Sequence, residues 1–387
     1  MPASARTTKG AGDLPPSPDS CWQARLILIN YLPFTNPEFG MLPTRGYAAM
    51  AARAPLQPFF FERRDVGAHD VLIKISHCGI CHSDIHMTRN EWGESIYPMV
   101  PGHEIVGTVS EIGSAVKLLR VGDRAGVGCF VDSCRTCSAC REGLEQYCEA
   151  GMILTYSSRD KNGAITQGGY STQIVVDERY VLKMPTALSP AGSAPLLCAG
   201  ITTYSPFRHW GVGKYHRVAV LGLGGLGHMA VKIAHALGTE VTVFSSSEAK
   251  GADAKRLGAG DFVVSTERNN LTRFRRYFDF VLDTVSAVHD YNAYVELLKT
   301  DGTMILVGAP EHPAPLEPFP LIMHRRSIAG SVIGGIRETQ EMLDFCAEHQ
   351  IESDVETIPM GQVNEAYERV VRGEVRFRFV IDLDSLA

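Results

Sequence analysis

The sequence has no long apolar run and no excess of positive charge. Its longest apolar stretch, which begins at Val218, is interrupted by glycines and by His228, well short of the ~18 residues that cross a bilayer. With 37 Lys and Arg against 43 Asp and Glu, the formal net charge is −6, which gives no attraction to nucleic acid or to an anionic membrane. The N-terminus also lacks a basic segment followed by an apolar one, so no signal peptide is indicated. These absences predict a soluble, cytoplasmic protein.

What is present is the composition of a folded globular chain. Hydrophobic residues make up 45% and charged residues 21% of the 387 residues, which excludes a disordered or fibrous protein. This length exceeds one compact core and suits roughly two to three domains. The sequence has 10 cysteines, but a chain of this size can bury enough core without covalent cross-links. The spacing of the cysteines is therefore more informative than their number.

One group of cysteines has the spacing of metal ligands: Cys134, Cys137, Cys140 and Cys148. A gap of two residues lets two thiolates converge on one tetrahedral zinc ion. Four thiolates leave no open position, so the predicted site is structural. Two disulfides are one alternative, and the spacing does not exclude an iron–sulfur cluster. A zinc ribbon that binds nucleic acid is disfavoured because phosphate contacts need Lys or Arg, whereas this stretch carries acids such as Glu142 and Glu145.

A second group of candidate ligands is spread along the chain: Cys81 in CGICHSD, His103 in PGHE and Cys198 in LLCAG. Each of them taken alone is also explained as an ordinary buried thiol or a core histidine. Together, two thiolates and one imidazole leave zinc a fourth position for water or substrate, as in a catalytic site. Asp84 and Glu104 adjoin these segments and are candidates to orient His103 or to exchange onto the metal.

A nucleotide-binding pattern occupies the middle of the chain. The apolar run Val218–Leu221 has strand length and precedes Gly222-x-Gly224-x-x-Gly227, a helical pattern and a second apolar run, Val241–Phe244. In that context the glycines predict a tight turn that brings backbone and a helix N-terminus to a pyrophosphate, although a Gly-rich surface loop is the alternative. Further strand–helix units predict a parallel, doubly wound sheet. Their strands are Phe262–Val264, Phe278–Leu282 and, after a turn at Asp301-Gly302, Met304–Val307.

The residues after the second of these strands decide between NAD and NADP. An Asp or Glu there would bind the ribose 2′-hydroxyl of NAD and repel a 2′-phosphate. This sequence has Ser245, Ser246 and Ser247 instead, with Lys250 close by, a set that accepts a phosphate group. Glu248 would offset part of the positive charge. The serines alternatively form only a turn, with Ser247 capping the next helix. We predict NADP(H) as the cofactor.

These motifs, in this order, resemble the zinc-containing medium-chain dehydrogenases, and within them the cinnamyl-alcohol-dehydrogenase-like group with its broad-specificity aldehyde reductases. The matching segments are CGICHSDIH, YPMVPGHEIVG, the four-cysteine stretch, LLCAGITTYSP, GLGGLG with SSSEAK, and GSVIGGIRETQEML. The resemblance implies an α/β protein with a mostly β, GroES-like catalytic domain at 43–199 and 333–387 and a Rossmann cofactor domain at 200–332. Residues 1–42 have no counterpart and are interpreted as a flexible extension, or as sequence that precedes a true start at Met41.

The resemblance also implies two zinc ions per chain. Cys81, His103 and Cys198 match the ligands of a catalytic zinc. Glu104 matches an alternate ligand of that ion, and the four clustered cysteines match a structural zinc site. The implied activity is that of an NADP-dependent alcohol dehydrogenase or aldehyde reductase acting on aromatic, cinnamyl-type or aliphatic primary alcohols and aldehydes, as a homodimer. The alternatives are an NAD-dependent polyol or secondary-alcohol dehydrogenase and a non-catalytic binding protein that has kept the fold.

Further residues match positions around the substrate and the cofactor. Ser83 resembles the hydroxyl that contacts the reacting oxygen, His86 the histidine that relays its proton, and Trp92 a residue of the substrate pocket. No Arg or Lys lies in the motifs that line this pocket, which disfavours carboxylate substrates. The implied cofactor-binding residues are His82, Ser83, Thr202, Gly222, Leu223, Gly224, Gly225, Leu226, Gly227, Ser245, Ser246, Ser247, Lys250, Thr284, Gly308, Ser331, Val332 and Ile333.

Overall fold

The computed structural model describes residues 41–386, with the exception of 309, 311 and 313. The predicted N-terminal extension at 1–42 therefore lies outside the described residues, apart from Met41 and Leu42. No helix within the described ranges is long and apolar enough to span a membrane.

Strands dominate the first half of the described chain. In chain order they are β1 (Leu42–Ala48), β2 (Gln57–Arg63), β3 (Asp70–Gly79), β4 (Ile105–Ile112), β5 (Arg124–Val127), β6 (Phe130–Asp132), β7 (Ile153–Leu154), β8 (Gln173–Asp177) and β9 (Leu182–Lys183). The successive residues Val71, Leu72 and Ile73 of β3 are all buried. Because neighbouring side chains on a strand point to opposite faces, both faces of β3 are covered, and this strand is the centre of its sheet.

A second sheet, entirely parallel, follows in the chain. Its strands are β10 (Arg217–Leu221), β11 (Glu240–Ser245), β12 (Asp261–Val264), β13 (Phe278–Asp283), β14 (Leu298–Leu306) and β15 (Ser327–Gly330). Within the described residues their spatial order is β12-β11-β10-β13-β14-β15, and each pairing is parallel. The predicted doubly wound sheet is thereby confirmed. Its strand order reverses between β10 and β13, which is where such sheets bind their ligands.

The predicted bounds of one strand in this sheet are wrong. The sequence pattern begins the strand at Met304, after a turn at Asp301-Gly302, whereas β14 begins at Leu298 and contains both turn residues. The pairing register between β13 and β14 shifts at this point, as it does at a β-bulge. Asp301 has a φ of 66°, a left-handed conformation that is also frequent in turns. The turn-like residues therefore belong to an irregularity inside the strand.

The end of the chain returns to the first sheet with β16 (Val355–Pro359) and β17 (Arg378–Asp382). That sheet has the order β16-β17-β3-β4-β5-β9 in the described part of the chain, with β8 also paired to β3. β1 and β2 form a separate two-stranded sheet, and so do β6 and β7. β17 runs antiparallel to β3 and places Val380 opposite Gly79. The last strand therefore lies beside the end of β3, two residues before Cys81.

Helices cover both sheets and carry several of the candidate site residues at their ends. Those in the described residues are α1 (His82–Thr88), α2 (Ser138–Glu142), α3 (Pro190–Ser193), α4 (Ala199–His209), α5 (Gly227–Ala236), α6 (Gly251–Arg256), α7 (Arg268–Thr272), α8 (Tyr291–Val295), α9 (Pro318–Ile322), α10 (Ile336–Glu348) and α11 (Val363–Val371). The buried face of α10 has the i, i+3, i+4, i+7 spacing expected of an amphipathic helix: Thr339, Met342, Leu343 and Cys346. Cys346 is therefore a core residue.

Candidate active site

A cleft of about 930 Å³ is lined by loops and helix ends from both sheets. It contains most of the residues that the sequence predicted for the site: Cys81, His82, Ser83, His86, Trp92, His103, Cys198, Thr202, residues 222–226, Ser245, Ser246, Lys250, Thr284, Ser331, Val332 and Ile333. A smaller set of predicted residues does not line the cleft: Glu104, Gly227, Ser247 and Gly308. The motifs of the two sheets thus meet in one space.

The buried carboxylate of Asp84 organises the turn that leads from β3 into α1. It accepts hydrogen bonds from the backbone N–H groups of Cys81, at 2.9 Å, and Gly102, at 3.1 Å. It also accepts from Nδ1 of His103 at 3.1 Å and from the hydroxyl of Tyr170 at 3.2 Å. Because Nδ1 is engaged, Nε2 is the ring nitrogen of His103 that is left to bind a metal. Of the two acids considered for orienting His103, Asp84 is the one that contacts it.

The candidate metal ligands that are far apart in the sequence, Cys81, His103 and Cys198, come together next to this turn. One donor atom from each of Cys81, His103, Glu104 and Cys198 lies within 4.8 Å of the others. The two sulfur atoms are 3.8 Å apart, and all of these side chains are buried. The hydrogen bond from Cys198, aided by the charges of Arg378 and His103, holds the pKa of Cys81 well below its ordinary value despite burial. Cys81 is therefore favoured as a thiolate, the form that binds metal.

Glu104 lies fully buried next to this group. Arg378 Nη2 is 3.3 Å from Oε1 of Glu104, yet within the described residues neither carboxylate oxygen accepts a hydrogen bond. Burial raises the pKa of Glu104 to about 7, although the charge of Arg378 acts in the opposite direction. A buried carboxylate without hydrogen bonds is costly unless another group pairs with it. Its place among two thiols and an imidazole fits a divalent metal ion.

The four clustered cysteines form a separate lobe, residues 133–149. Their sulfur atoms also lie within 4.8 Å of one another, and each described cysteine of the chain is a free thiol rather than half of a disulfide. The backbone N–H groups of Cys134 and Cys137 donate to the sulfur atoms of Cys148 and Cys134, each at 3.3 Å. Backbone donors, led by Thr136 and Cys137, lower the pKa of Cys134 to about 6. The donor set fits a closed tetrathiolate zinc site and not two disulfides.

The glycine pattern forms the turn between β10 and α5. Gly222 has a φ of 85°, and a Cβ added at Gly227 would lie 2.1 Å from the carbonyl oxygen of Gly222, so both positions require glycine. At Gly224, by contrast, an added Cβ meets no protein atom within 4 Å. The space in front of Gly224 is therefore open to a bound molecule, as expected for the backbone that approaches a pyrophosphate.

The serine run lies at the end of β11, next to that turn. Ser245 is the last residue of the strand and is 5% exposed, whereas Ser246 is exposed in the cleft. Ser247 precedes a single 3₁₀ turn, Glu248–Lys250, without a side-chain cap hydrogen bond. The Lys250 ammonium reaches back over the glycine turn and donates to the carbonyl of Leu223 at 3.0 Å. Because the Ser247 side chain makes no cap hydrogen bond, the alternative in which Ser247 acts as a helix cap is not supported.

Comparison with known proteins finds a family match for each of two parts of the chain. Residues 67–186 match the family described as alcohol dehydrogenase GroES-like domain, and residues 225–348 match the zinc-binding dehydrogenase family. The NADP-dependent alcohol dehydrogenase C 1 of Mycolicibacterium smegmatis is 54% identical over 347 residues, which are 89% of this chain and 99% of that protein. The chain belongs to the zinc-binding alcohol dehydrogenase family.

Two further relatives bear on this zinc-binding alcohol dehydrogenase. The aldehyde reductase YahK of Escherichia coli is 54% identical over 347 residues, 88% of this chain and 99% of that protein. A solved cinnamyl alcohol dehydrogenase from Sorghum bicolor superimposes with a TM-score of 0.86 at 44% identity, covering 88% of this chain and 98% of that one. The predicted family and the α/β fold class, with a GroES-like part and a Rossmann-type parallel sheet, are thereby confirmed.

Sequence reasoning missed Arg378 of the dehydrogenase. This arginine is 7% exposed, contacts Glu104 and donates to the carbonyl of Ile80 at 3.1 Å across 298 residues of sequence. Burial opposes its charge, but Glu104 holds the pKa of Arg378 above its ordinary value. The one available signal was a charged residue at the start of the apolar run Phe379–Ile381, because a buried charge needs a partner.

Sequence reasoning also missed Glu91. The predicted relay histidine, His86, bonds through Nδ1 to Oε2 of Glu91 at 2.6 Å, and its ring stacks on Trp92 with 4.9 Å between ring centres. Both Glu91 and Trp92 follow the C-terminal end of α1. Because a carboxylate only accepts, His86 carries its proton on Nδ1 and presents Nε2 to the cleft.

Cys129 lines the cleft and is only partly buried. Its thiol donates to the carbonyl of Leu197 at 3.8 Å, next to Cys198. Tyr156 completes this wall by stacking on His103 with 5.8 Å between ring centres. Cys129 therefore belongs to the wall of the metal end of the cleft.

Proposed function

We propose that this dehydrogenase transfers hydride between NADP(H) and primary alcohols or aldehydes. The observation that carries the proposal is the shared cleft, in which Cys81, His103 and Cys198 face the same space as Ser246 and Lys250. A cleft with candidate metal ligands at one end and candidate phosphate-binding residues at the other suits an enzyme that would use a metal ion together with a nicotinamide cofactor. The relatives named as NADP-dependent alcohol dehydrogenase and as aldehyde reductase support both parts.

We assign the catalytic zinc to Cys81, His103 and Cys198, with Glu104 as an alternate ligand, and the structural zinc to the four cysteines of the lobe. When the catalytic zinc and the cofactor are bound, this zinc supplies a Lewis acid for the substrate oxygen, and the nicotinamide ring of the cofactor supplies or takes up a hydride. Cys81, His103 and Cys198 would hold the ion with three donors and would leave it able to bind one further ligand. Asp84 fixes the orientation of His103 and of the Cys81 backbone, so the donor set is preorganised.

The proton path is assigned to Ser83, His86 and Glu91. The hydroxyl of Ser83 lies 3.5 Å from the sulfur of Cys81, so it stands beside the metal position and can donate to, or accept from, the reacting oxygen. Nε2 of His86 is free to exchange a proton with solvent, because Glu91 holds Nδ1–H. Glu91 is therefore a positioning residue that fixes the tautomer of the relay histidine.

Glu91→Gln is expected to lower kcat about tenfold and to change KM for the aldehyde by less than about twofold, since general acid–base groups act on the transition state. The amide no longer requires Nδ1 of His86 to carry the proton, so part of the population presents the wrong tautomer. Steady-state kinetics with saturating cofactor measures this. Glu94→Gln, an exposed carboxylate in the same loop, is the matched control. An unchanged kcat in Glu91→Gln would remove the glutamate from the proton path.

The substrate end of the cleft is assigned to apolar and aromatic alcohols. Trp92, Met152, Leu154 and Tyr156 line it. Two Lys or Arg side chains, Lys250 and Arg378, line the cleft, but Lys250 donates to the carbonyl of Leu223 in the glycine turn and Arg378 forms an ion pair with Glu104 behind the ligands. Substrates of this end are therefore selected by shape and apolar area, which supports aromatic, cinnamyl-type or aliphatic aldehydes rather than carboxylates.

Ser245→Asp is expected to lower kcat/KM for NADPH about a hundredfold and to favour NADH, because the carboxylate would repel the 2′-phosphate and accept from the ribose hydroxyl. Ser245 stands at the strand end where a doubly wound sheet reads this part of the cofactor. The ratio of kcat/KM values for the two cofactors is the measurement, with Ser245→Ala as the control that removes the hydroxyl without adding charge. An unchanged ratio in Ser245→Asp would place the 2′-phosphate elsewhere.

The arrangement of the whole molecule is part of the proposal. We divide the chain into a catalytic domain at 43–199 and 333–387 and a cofactor domain at 200–332, a division that follows the two sheets. We propose a cytoplasmic homodimer, as the family resemblance implies. Supporting a dimer, β15 is an edge strand, and nearby Phe319, Ile322 and Met323 are 70%, 69% and 64% exposed, which is unusual for apolar side chains outside an interface.

A further inference from the structure

The C-terminal segment passes the phosphate end of the cleft just before it enters β17. Val375 and Phe377 of this segment line the cleft, and Arg376 stands between them. Nη1 of Arg376 lies 2.7 Å from Oδ2 of Asp253 in α6. This ion pair ties an arginine from the end of the chain to a residue three positions after Lys250, which is predicted to bind the cofactor phosphate.

Two cations, Lys250 and Arg376, lie near Asp253 at this end of the cleft, and Arg376 is the one that forms an ion pair with it. Within the described residues Lys250 has no carboxylate within 4.0 Å, and its ammonium donates only to the Leu223 carbonyl. Burial and then the charge of Arg376 lower the pKa of Lys250, whereas Asp253 acts in the opposite direction. Asp253 is itself shared with Arg256 at 3.5 Å. Lys250 and Arg376 have Asp253 near both of them, and an anion bound beside Ser246 would be attracted by these two cations.

We propose that Arg376 contacts the 2′-phosphate of NADP(H) and is a cofactor-specificity residue contributed by the C-terminal segment. The inference rests on the proposed use of NADP(H). A guanidinium has five N–H donors, and within the described residues Arg376 has Asp253 as its one acceptor. Its side chain is 60% exposed, so the remaining donors are accessible. Asp253 fixes the guanidinium, and the free donors match the paired oxygens of a phosphate.

A purely structural role for the same ion pair makes a different prediction. If Arg376 served only to tie the C-terminal segment to α6, removal of either partner would have the same effect. If Arg376 binds phosphate, removal of Asp253 leaves the cation in place and takes away a nearby negative charge. Loss of Arg376 then weakens phosphate binding, whereas loss of Asp253 does not.

The test is calorimetric binding of adenosine 2′,5′-bisphosphate and of 5′-AMP to the full-length protein. For Arg376→Gln we expect the bisphosphate to bind about tenfold more weakly, with 5′-AMP changed less than about twofold, because one charge-assisted contact to the 2′-phosphate is lost. Asp253→Asn should leave bisphosphate binding unchanged or tighter. Arg372→Gln is the matched control, since Arg372 lies in the same segment but pairs with Glu374 at 2.8 Å instead of with a residue of α6.

Equal weakening of both nucleotides in Arg376→Gln would overturn the inference, as would a loss of bisphosphate affinity in Asp253→Asn equal to that in Arg376→Gln. An Arg376→Gln protein that binds the bisphosphate as the wild type does would also overturn it. The wild-type protein tests the underlying function separately. If wild-type protein does not prefer the bisphosphate to 5′-AMP, the proposed use of NADP(H) is wrong whatever Arg376 does.

Discussion

Cys81→Ala is expected to abolish turnover and leave the fold intact. The substitution removes one of the two sulfur atoms that lie 3.8 Å apart at the metal end of the cleft. It keeps the backbone N–H that donates to Asp84, so the turn into α1 retains the contact that shapes it. Because a Lewis acid stabilises the transition state by several kcal/mol, we expect kcat to fall by roughly three powers of ten or more.

The measurements are zinc content per chain, aldehyde reduction and thermal unfolding. One equivalent of zinc should be lost while the other remains, and Tm should move by no more than about 1 °C, since an open catalytic site adds little to folding. Cys346→Ala is the control, because that thiol is fully buried in the α10 face and contacts Met342 at 3.6 Å, away from the cleft. A Cys81→Ala protein that lacks the catalytic zinc and still retains activity would contradict the assignment of Cys81 as a catalytic zinc ligand.

Local patterns were sufficient to predict the parts of this site that are short in sequence. The glycine turn depends on a backbone geometry that only a few residues determine, and Gly222 and Gly227 form the predicted tight turn. The four-cysteine lobe lies within fifteen consecutive positions, so its spacing alone brings the sulfur atoms together. In both cases the relevant distances are set by the local chain.

Contacts between the C-terminal part of the chain and residues far away in the sequence could not be predicted in this way. Arg378 meets Glu104 because β17 is added to the sheet beside β3, and no local pattern near either residue specifies that pairing. Arg376 reaches Asp253 for the same reason. The sequence showed Glu104 only as a candidate ligand beside His103, whereas its second partner comes from a strand at the other end of the chain. The bulge in β14 was missed because Asp301-Gly302 has the composition of a turn.

Cys137→Ala is expected to destabilise the protein, in contrast to Cys81→Ala. The helix α2 within the lobe has no buried residue, so the lobe lacks an apolar core and depends on its metal for a fixed shape. Three remaining thiolates bind zinc less well, and we expect a loss of about 3 kcal/mol, or a fall in Tm of about 4 °C, together with aggregation. Thermal unfolding and zinc content measure this, with Ser138→Ala, an exposed neighbour in α2, as the control.

The Cys137→Ala substitution should also weaken cofactor binding, because the lobe supports one wall of the cleft. The hydroxyl of Tyr147 accepts from the backbone N–H of Val332 at 3.3 Å, and Glu145 accepts from that of Ile336 at 3.2 Å. Val332 lines the cleft, so a disordered lobe releases a segment predicted to hold the nicotinamide half. We therefore expect the Cys137→Ala protein that remains soluble to bind NADPH at least about tenfold more weakly, as disorder adds to the cost of binding. A Cys137→Ala protein that has lost this zinc but keeps the Tm and the NADPH affinity of the wild type would show that the lobe folds without its zinc.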